Sequence, residues 1–556
     1  MTAATTPATA PRPAVAAPPR RAGGALAGTG VLLRFALRRD RVRLPVWIAA
    51  LWAVNSLSLS SLTTEYADAG ARAGLAETMG GAAGLAMTGP ERYLAGDYTY
   101  GPMMGQQMLG YLALAVGVLG VLTVVRHTRA EEETGRAELL RAAAVGRHAH
   151  LTAALAVAVG ASLAVGALLA AGMAGSGAEG VTAGGSLLYG AACAASGVVF
   201  AGLAAVGAQI SPFARGASGL GLGALGLAFA LRAVGDVGAD AFSWLSPIGW
   251  AQRTYVYVDD RWWPLLPAVA LAVAAAAGAY ALSARRDVGA GLRPPRPGRP
   301  AASAGLLRPV GFALRLQRGV LAGFGAGALL FSLMYGSVLG NADDLLAENE
   351  RLRESVLRLG GDGLLEAFAS VVMSVLAIVA SLYVVQAVQR LRGEEGAGRA
   401  EPVLATGLSR ARWAGSHLAV ALAGGTLVML LAGAGFGLSG AASADDWSLF
   451  GELTLASLAY APALWVTAGA ALVLYGWLPK ASAAAWAVPA YAFFVVYLGE
   501  LMSLPDVLRD LSPIGHVPQV PAAEWRWLPL TLLTAVAACL IAAGLAGLRR
   551  RDVDMK

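Results

Sequence analysis

The chain has 556 residues, of which 57% are hydrophobic and 14% charged, and its mean hydropathy is +0.60. A soluble domain cannot hide this much apolar surface, because surface area shrinks too slowly relative to volume as a chain folds. Composition therefore excludes a soluble protein. Apolar runs of about 20 residues recur along the chain, and they predict an all-α polytopic membrane protein.

The first segment, residues 1–29, is rich in Pro, Ala and Thr and lacks the apolar run of a cleaved signal peptide. It predicts a disordered cytoplasmic tail. Just after it, Arg34, Arg38 and Arg41 recur at helical spacing, which predicts an amphipathic helix lying in the inner membrane interface. The alternative interpretation is ordinary basic charge flanking the first span.

Apolar runs between charged residues predict twelve transmembrane helices, six in each half of the chain. Those of the first half are 44–62, 105–125, 149–172, 183–210, 217–235 and 264–283. Those of the second half are 319–339, 366–389, 413–437, 449–476, 482–503 and 527–548. Because the number is even, both termini are expected on the same side of the membrane.

The distribution of basic residues predicts which side that is. With both termini inside, roughly three quarters of the Arg and Lys residues fall on the cytoplasmic side, as the positive-inside rule requires. The net charge of +7 is therefore explained by topology and does not indicate nucleic acid. We expect a multi-pass protein of the cell membrane with cytoplasmic termini, whose basic inner face favours anionic lipid.

Four landmarks occur twice in the same order, which predicts a tandem duplication. Their offsets of 277, 263, 266 and 265 residues are nearly constant. Each six-span copy has the same topology, so the repeats are expected to relate by an axis along the membrane normal. The predicted domains are 30–288 and 306–556, joined by a Pro- and Arg-rich cytoplasmic linker, 289–305. The landmark pairs are FALR at 35 and 312, the charged stretches beginning at Arg129 and Arg392, LSPIG at 245 and 511, and RDV at 286 and 551.

The second landmark is the most charged part of the chain and lies between the second and third spans of each half. It contains good helix formers, and the seven-residue spacing of Glu131 and Glu138 places both on one helical face. The same applies to Glu394 and Glu401 if the helix persists through Gly396 and Gly398. Its duplication predicts a docking surface on the cytoplasmic side. The alternative is a solvated loop whose charges keep it out of the bilayer.

This segment, EEETGRAELL at 131–140, resembles the coupling-helix signature of ABC-2-type permeases. The arrangement of two fused six-span halves is similar to actinobacterial exporters of polyketide antibiotics. Two departures are the absence of proline at 142–144 and the presence of Pro402 in the second copy. The resemblance implies that these residues couple to an ATPase: Glu131, Glu132, Glu133, Gly135, Arg136, Glu138, Glu394, Glu395, Gly398, Arg399 and Glu401.

The resemblance also implies that two copies of a separate ABC ATPase subunit power export, with ATP and Mg²⁺ bound by those partners. Only two lysines occur, Lys480 and Lys556, and neither follows a glycine, so a phosphate-binding G-x-x-x-x-G-K-[ST] loop cannot form. We expect no catalytic residue, metal site or cofactor on this chain, which would be a permease and not an enzyme by itself.

Two other function classes stay open. A proton- or sodium-driven carrier needs ionisable residues within the bilayer; the candidates are Arg232, Glu366, Glu452 and Glu500, all near predicted outer span ends. A non-transporting membrane scaffold is the other class, and the repeated coupling-like segment argues against it.

The substrate path is indicated by aromatic and polar residues within spans. Trp52 and Asn55 share a face of the first span, and Tyr491, Phe494 and Tyr497 recur at helical spacing in the eleventh. Such residues also serve as helix packing or interface anchors. An uncharged, aromatic interior favours a bulky hydrophobic or amphipathic solute, such as an antibiotic.

Overall fold

A computed structural model describes residues 24–141, 145–238, 240–287, 289–293, 298, 300–337, 339–341, 364–498, 509–523 and 525–551. These residues form helices and connecting turns, with no β-strand among them. The predicted all-α fold is confirmed for this part of the chain. Contacts divide the chain into two compact units, one of Met1–Ala67 with Thr88–Arg296 and the other of Asp68–Met87 with Pro297–Lys556.

The helices of the first unit include five long apolar helices after the first span and several short ones at their ends. In chain order they are α1 (Thr29–Arg39), α2 (Arg43–Glu65), α5 (Tyr100–Gln107), α6 (Leu109–Arg126), α7 (Arg129–Glu133), α8 (Arg136–Arg141), α9 (Ala149–Ala174), α10 (Ala183–Ile210), α11 (Ala214–Val237), α12 (Asp240–Trp244), α13 (Pro247–Gln252) and α14 (Leu265–Ser283).

The second unit takes two short helices from the first half of the sequence and the remaining helices from the second half. They are α3 (Ala69–Gly80), α4 (Ala82–Met87), α15 (Pro309–Gly336), α16 (Leu364–Gly396), α17 (Ala400–Leu404), α18 (Arg410–Ala444), α19 (Ser448–Leu458), α20 (Ala461–Trp477), α21 (Ala487–Leu498) and α22 (Trp527–Arg550). Because α4 packs against α15, residues 68–87 leave the unit to which their position in the sequence assigned them.

Eleven helices within the described ranges are long and apolar enough to cross a membrane, and each coincides with a predicted span. The protein is therefore a multi-pass membrane protein. The remaining predicted span, 482–503, begins in a 3₁₀ helix (Pro479–Trp486) and continues into α21, which has 12 residues. Its C-terminal end lies outside the described residues, so the twelfth span and the duplication remain predictions.

Helix α10 lies at the centre of the first unit, where it packs against α6, α9 and α14. Small residues allow this close approach. A Cβ atom added to Gly190 would lie 2.1 Å from the carbonyl oxygen of Gly166 on α9, so only glycine fits there. In the second unit, a Cβ on Gly476 would lie 2.4 Å from the carbonyl oxygen of Gly544. The Gly- and Ala-rich composition thus supports direct backbone contact between spans.

The predicted amphipathic helix is present as α1. Its buried residues, Leu32 and Ala36, lie on the face that contacts α9, while Val31 and Phe35 are exposed beside Arg34. Apolar and basic residues exposed together suit a helix in the interface between lipid and cytoplasm. The second half differs: the corresponding residues belong to the continuous helix α15, which includes the exposed Arg315 and Arg318.

Candidate functional site

Both charged stretches bend at a glycine with a left-handed backbone. Gly135 has φ 73° and separates α7 from α8, and Gly398 has φ 69° and separates α16 from α17. Positive φ is easily accessible only to glycine, which explains why this residue recurs at the same place in each stretch. The expectation that Glu131 and Glu138 share one face of a continuous helix is therefore wrong. The helix does not persist through Gly398, which was the condition for Glu394 and Glu401 to share a face.

Glu131 lies in a buried charged cluster beneath α1. Its carboxylate accepts a hydrogen bond from Arg39 and lies 3.3 Å from Nε2 of His150. The neighbouring Asp40 carboxylate is fully buried, 2.7 Å from His127 Nε2, and it accepts a 2.9 Å bond from Arg126. The cluster fastens α1 to the end of α6 and the start of α9, so Glu131 serves internal packing.

Glu132 forms a second buried contact, with the residues that follow the sixth predicted span. Both of its carboxylate oxygens accept from the Arg286 guanidinium, at 2.8 and 2.7 Å, and Arg129 donates to it at 2.8 Å. Nε of Arg286 donates to the side-chain oxygen of Gln209, 2.6 Å away, at the end of α10. We call Glu132, Gln209 and Arg286 the first inner clamp.

The same arrangement occurs in the second unit. Both carboxylate oxygens of Glu395 accept from Arg551, at 2.9 and 2.7 Å, and the hydroxyl of Tyr475 donates to Glu395 at 2.5 Å. We call Glu395, Tyr475 and Arg551 the second inner clamp. Burial alone lowers the pKa of Arg551, but its hydrogen bond and charge interaction with Glu395 outweigh that effect, and the pKa is raised.

Glu394, beside the second clamp, is also buried in the protein. Its carboxylate accepts from Arg399 at 2.7 Å and lies 2.5 Å from the Arg390 guanidinium, and its side chain is 7% exposed. Four of the predicted coupling carboxylates, at 131, 132, 394 and 395, are thus occupied by partners within the chain. A buried carboxylate requires such partners because desolvating an isolated charge is costly.

The solvent-exposed part of each stretch is the short helix after the glycine. Arg136 and Glu138 of α8 are exposed, as are Arg399 and Glu401 at α17, while the small residues Ala137 and Ala400 anchor the two helices. Glu133 is exposed and accepts a 2.9 Å bond from the Ala214 amide at the start of α11. Each stretch thus presents a small charged surface that is held by a buried base. We call the exposed surfaces of α8 and α17 the outer docking faces, where outer means pointing away from the buried clamps and not toward the extracellular side.

Residues predicted for the substrate path have different environments. Asn55 is buried and accepts a 2.8 Å hydrogen bond from Tyr189, whereas Trp52 is 41% exposed. The rings of Tyr491 and Phe494 have centroids 6.5 Å apart. The side chain of Tyr497 lies outside the described residues.

An apolar cavity that is open to the surface, and that the sequence analysis did not find, lies in the second unit between α19, α20 and α22. Its volume is about 730 Å³, and indoles of Trp465, Trp525 and Trp527 line it. The hydroxyls of Thr531 and Thr534 also reach the wall, but each donates to a carbonyl of its own helix. The cavity is within the usual volume range of small-molecule sites.

The candidate residues of an ion-coupled carrier have different environments in the described structure. Arg232 is buried 3.5 Å from the Asp236 carboxylate, Glu366 is partly buried, and Glu452 is exposed. Glu500 lies outside the described residues. Among the described residues, no group of three or more His, Cys, Asp or Glu is placed to hold a metal ion.

Comparison with known proteins adds independent information. A family model described as "Multidrug efflux system permease Rv1217c, C-terminal domain" matches residues 32–283 and 306–549. The two matched ranges correspond closely to the two predicted halves. The multidrug efflux system permease protein Rv1217c of Mycobacterium tuberculosis is 40% identical over 552 residues, which cover 98% of each chain.

Proposed function

The chain belongs to the Rv1217c family of multidrug efflux permeases, and from this we propose that it is the permease subunit of an ATP-driven exporter. Its cargo is a bulky hydrophobic or amphipathic solute such as a drug or antibiotic. A separate ATPase, in two copies, binds ATP and Mg²⁺ and docks on the two outer docking faces. The permease carries no catalytic residue, and it resembles the ABC-2 type.

The observation that carries this proposal is the pair of exposed charged helices, α8 and α17, each mounted on buried ion pairs. A docking surface must be accessible, and it binds more strongly when it is already ordered before the partner arrives. Both conditions are met, since Arg136 and Glu138 are exposed while Glu132 beneath them is fixed. Charges at such a surface steer and orient the partner.

The apolar cavity supports the proposed cargo. Three indoles offer large, flat contact surfaces, and the two threonine hydroxyls are occupied by their own helix. An apolar solute with an aromatic ring system fits these walls, whereas a strongly hydrated ion does not. Multidrug efflux by the relative from M. tuberculosis is consistent with this class of cargo.

The energy source is tested in proteoliposomes that hold the chain with and without the ATPase encoded nearest to it. We expect drug export only with the ATPase and ATP, and we expect it to persist when an ionophore collapses the proton gradient at constant ATP. Export that needs no ATPase and stops with the gradient would support the ion-coupled carrier instead.

Docking is tested by reversing the two exposed glutamates, Glu138→Arg with Glu401→Arg. We expect co-purification with the ATPase and drug export to fall about tenfold while abundance is unchanged, because complementary charge at the rim is replaced by repulsion. Glu91→Arg, an exposed reversal in a loop predicted to face outward, is the matched control. Full export by the double variant would contradict docking at these faces. Glu131 and Glu132 are left intact because their reversal would also break buried ion pairs.

A further inference from the structure

The two inner clamps join the same three structural positions. Each contains a glutamate shortly after the second predicted span of its half, a polar side chain at the end of the fourth, and an arginine just after the sixth. The three residue pairs are separated by 263, 266 and 265 residues, which are the offsets of the sequence landmarks around them. The pairs are Glu132 with Glu395, Gln209 with Tyr475, and Arg286 with Arg551.

The geometry of the ion pair is also alike. In both clamps two guanidinium nitrogens of arginine donate to two carboxylate oxygens of glutamate. Both glutamate side chains are 4% exposed, and the arginines are 8% and 14% exposed. A bidentate, desolvated pair restrains both distance and orientation, which a single exposed ion pair does not.

The middle residue differs in chemistry but occupies an equivalent place. Gln209 accepts from Nε of Arg286, whereas Tyr475 donates to Glu395 and its ring lies 4.7 Å from the Arg551 guanidinium. An amide and a phenol share little except the capacity to hold the same ion pair. This favours the interpretation that the Glu–Arg pair is the functional element and that the third residue supports it.

Each clamp lies directly beneath an outer docking face. Glu132 is three residues before Gly135, and Glu395 is three before Gly398, so a displacement of α8 or α17 reaches the glutamate through a few backbone bonds. The arginine then links that displacement to the sixth span of the same half. Packed, ion-paired elements move together because their contacts cannot stretch gradually.

We propose that the two inner clamps are the positioning elements that couple the docking segment of each half to its fourth and sixth spans. This proposal rests on the proposed function. The clamp residues touch neither the cargo nor ATP, and their role is to convert movement of the docked ATPase into movement of the spans. Loss of a clamp therefore uncouples ATP hydrolysis from export while the ATPase remains bound.

The second clamp is chosen for the test, because a change of Glu132 in the first would also remove its ion pair with the buried Arg129. Three variants are compared in the complex of the full chain with its ATPase: Glu395→Arg, Arg551→Lys, and the charge swap Glu395→Arg with Arg551→Glu. Arg549→Glu serves as the matched control, since Arg549 is exposed two residues from Arg551. Four quantities are measured: thermal stability, ATPase affinity, ATP hydrolysis, and drug molecules exported per ATP.

We expect Glu395→Arg to lower drug exported per ATP by at least about tenfold while ATPase affinity changes less than about threefold. Arg551→Lys keeps the charge but loses the planar fork, so we expect an intermediate loss. The swap is expected to recover most of the coupling, and Arg549→Glu to leave it unchanged. If Glu395→Arg does not fold, the lysine variant and the swap carry the test.

Two results overturn the proposal. One is that Arg551→Lys exports a normal number of drug molecules per ATP and that the charge swap does not differ from Glu395→Arg in this ratio. The other is a parallel loss of thermal stability and coupling in every variant, which would assign the clamp a structural role only. If the unaltered permease exports drug without the ATPase, the proposed function fails as well, and this comparison distinguishes that failure from failure of the clamp alone.

Discussion

At the scale of single residues, adjacent glutamates in the charged stretches have different roles. Glu131 contacts Arg39 and the histidines beneath α1, Glu132 contacts Arg286, and Glu138 is exposed. Hydropathy assigns all of them to the surface, because it treats each charge by itself. A glutamate near the end of a span can nevertheless be buried when an arginine or histidine lies within hydrogen-bonding distance. The charge of the pair is then stabilised in the low-dielectric surroundings.

The cavity in the second unit gives a prediction at this scale. Replacing Trp465 by Leu removes one of the three indoles that line the cavity and the 3.2 Å hydrogen bond from that indole to Thr426. We expect export of an aromatic drug to fall roughly three- to tenfold, because stacking contributes binding beyond buried area. Export is measured by drug accumulation in cells at matched protein abundance.

Trp447→Leu is the matched control, because Trp447 is 64% exposed and does not line the cavity. An equal loss of export in both variants would show that the effect of Trp465 is not specific to the cavity. Unchanged export with Trp465→Leu would remove the cavity from the substrate path.

At the scale of elements, glycine decides which helices can approach closely. The contact of α10 with α9 at Gly190 and Gly166 brings one helix backbone against the other. Lipid supplies no hydrophobic drive for helix association, so such contacts stabilise the bundle through van der Waals packing. Many other glycines have no neighbour within 4 Å of an added Cβ, which is why composition could not identify the packing positions.

Substitution of Gly190 tests this packing. The Cβ of Gly190→Ala would meet backbone atoms that cannot move aside, and we expect a loss of about 1–3 kcal/mol from overpacking. Gly184→Ala, on the exposed first turn of the same helix, has no neighbouring atom within 4 Å and is expected to be nearly neutral. Thermal stability of the purified protein in detergent measures both, and equal stability of the two variants would contradict the contact.

At the scale of the whole molecule, the two charged stretches mark the predicted cytoplasmic side. Both docking faces follow spans whose flanking Arg and Lys residues predict an inside location. Each compact unit contains one docking face and one inner clamp. The proposed ATPase can bind both docking faces only if both lie on the side of the membrane where ATP is present.

Cysteine labelling tests this topology. Thr134→Cys and Ala397→Cys, both at exposed positions, are introduced into a chain whose exposed Cys539 has been replaced by Ser. We expect no labelling of either from outside intact cells and full labelling after permeabilisation. Ser176→Cys, in a loop predicted to face outward, is the positive control. Labelling of Thr134→Cys or Ala397→Cys in intact cells would overturn the predicted orientation.

The sequence alone determined the membrane class, the all-α fold and the approximate position of eleven spans, because apolar runs of sufficient length have few alternatives in water or lipid. It also located the two charged stretches, since a rare charged motif repeated at a constant offset is visible without coordinates. The glycine in each stretch was found, but its effect on direction depends on φ, which composition does not reveal.

Only the tertiary structure decided which charges face inward. Arg286 and Arg551 lie 154 and 156 residues from their glutamate partners, and pairs this distant are fixed by how the spans pack. For the same reason the structure moved residues 68–87 into the second unit and revealed a cavity that α22 completes against the earlier pair α19 and α20. Local sequence sets where a helix begins and ends, whereas burial of a charge or an indole is a property of the neighbours that the fold brings to it.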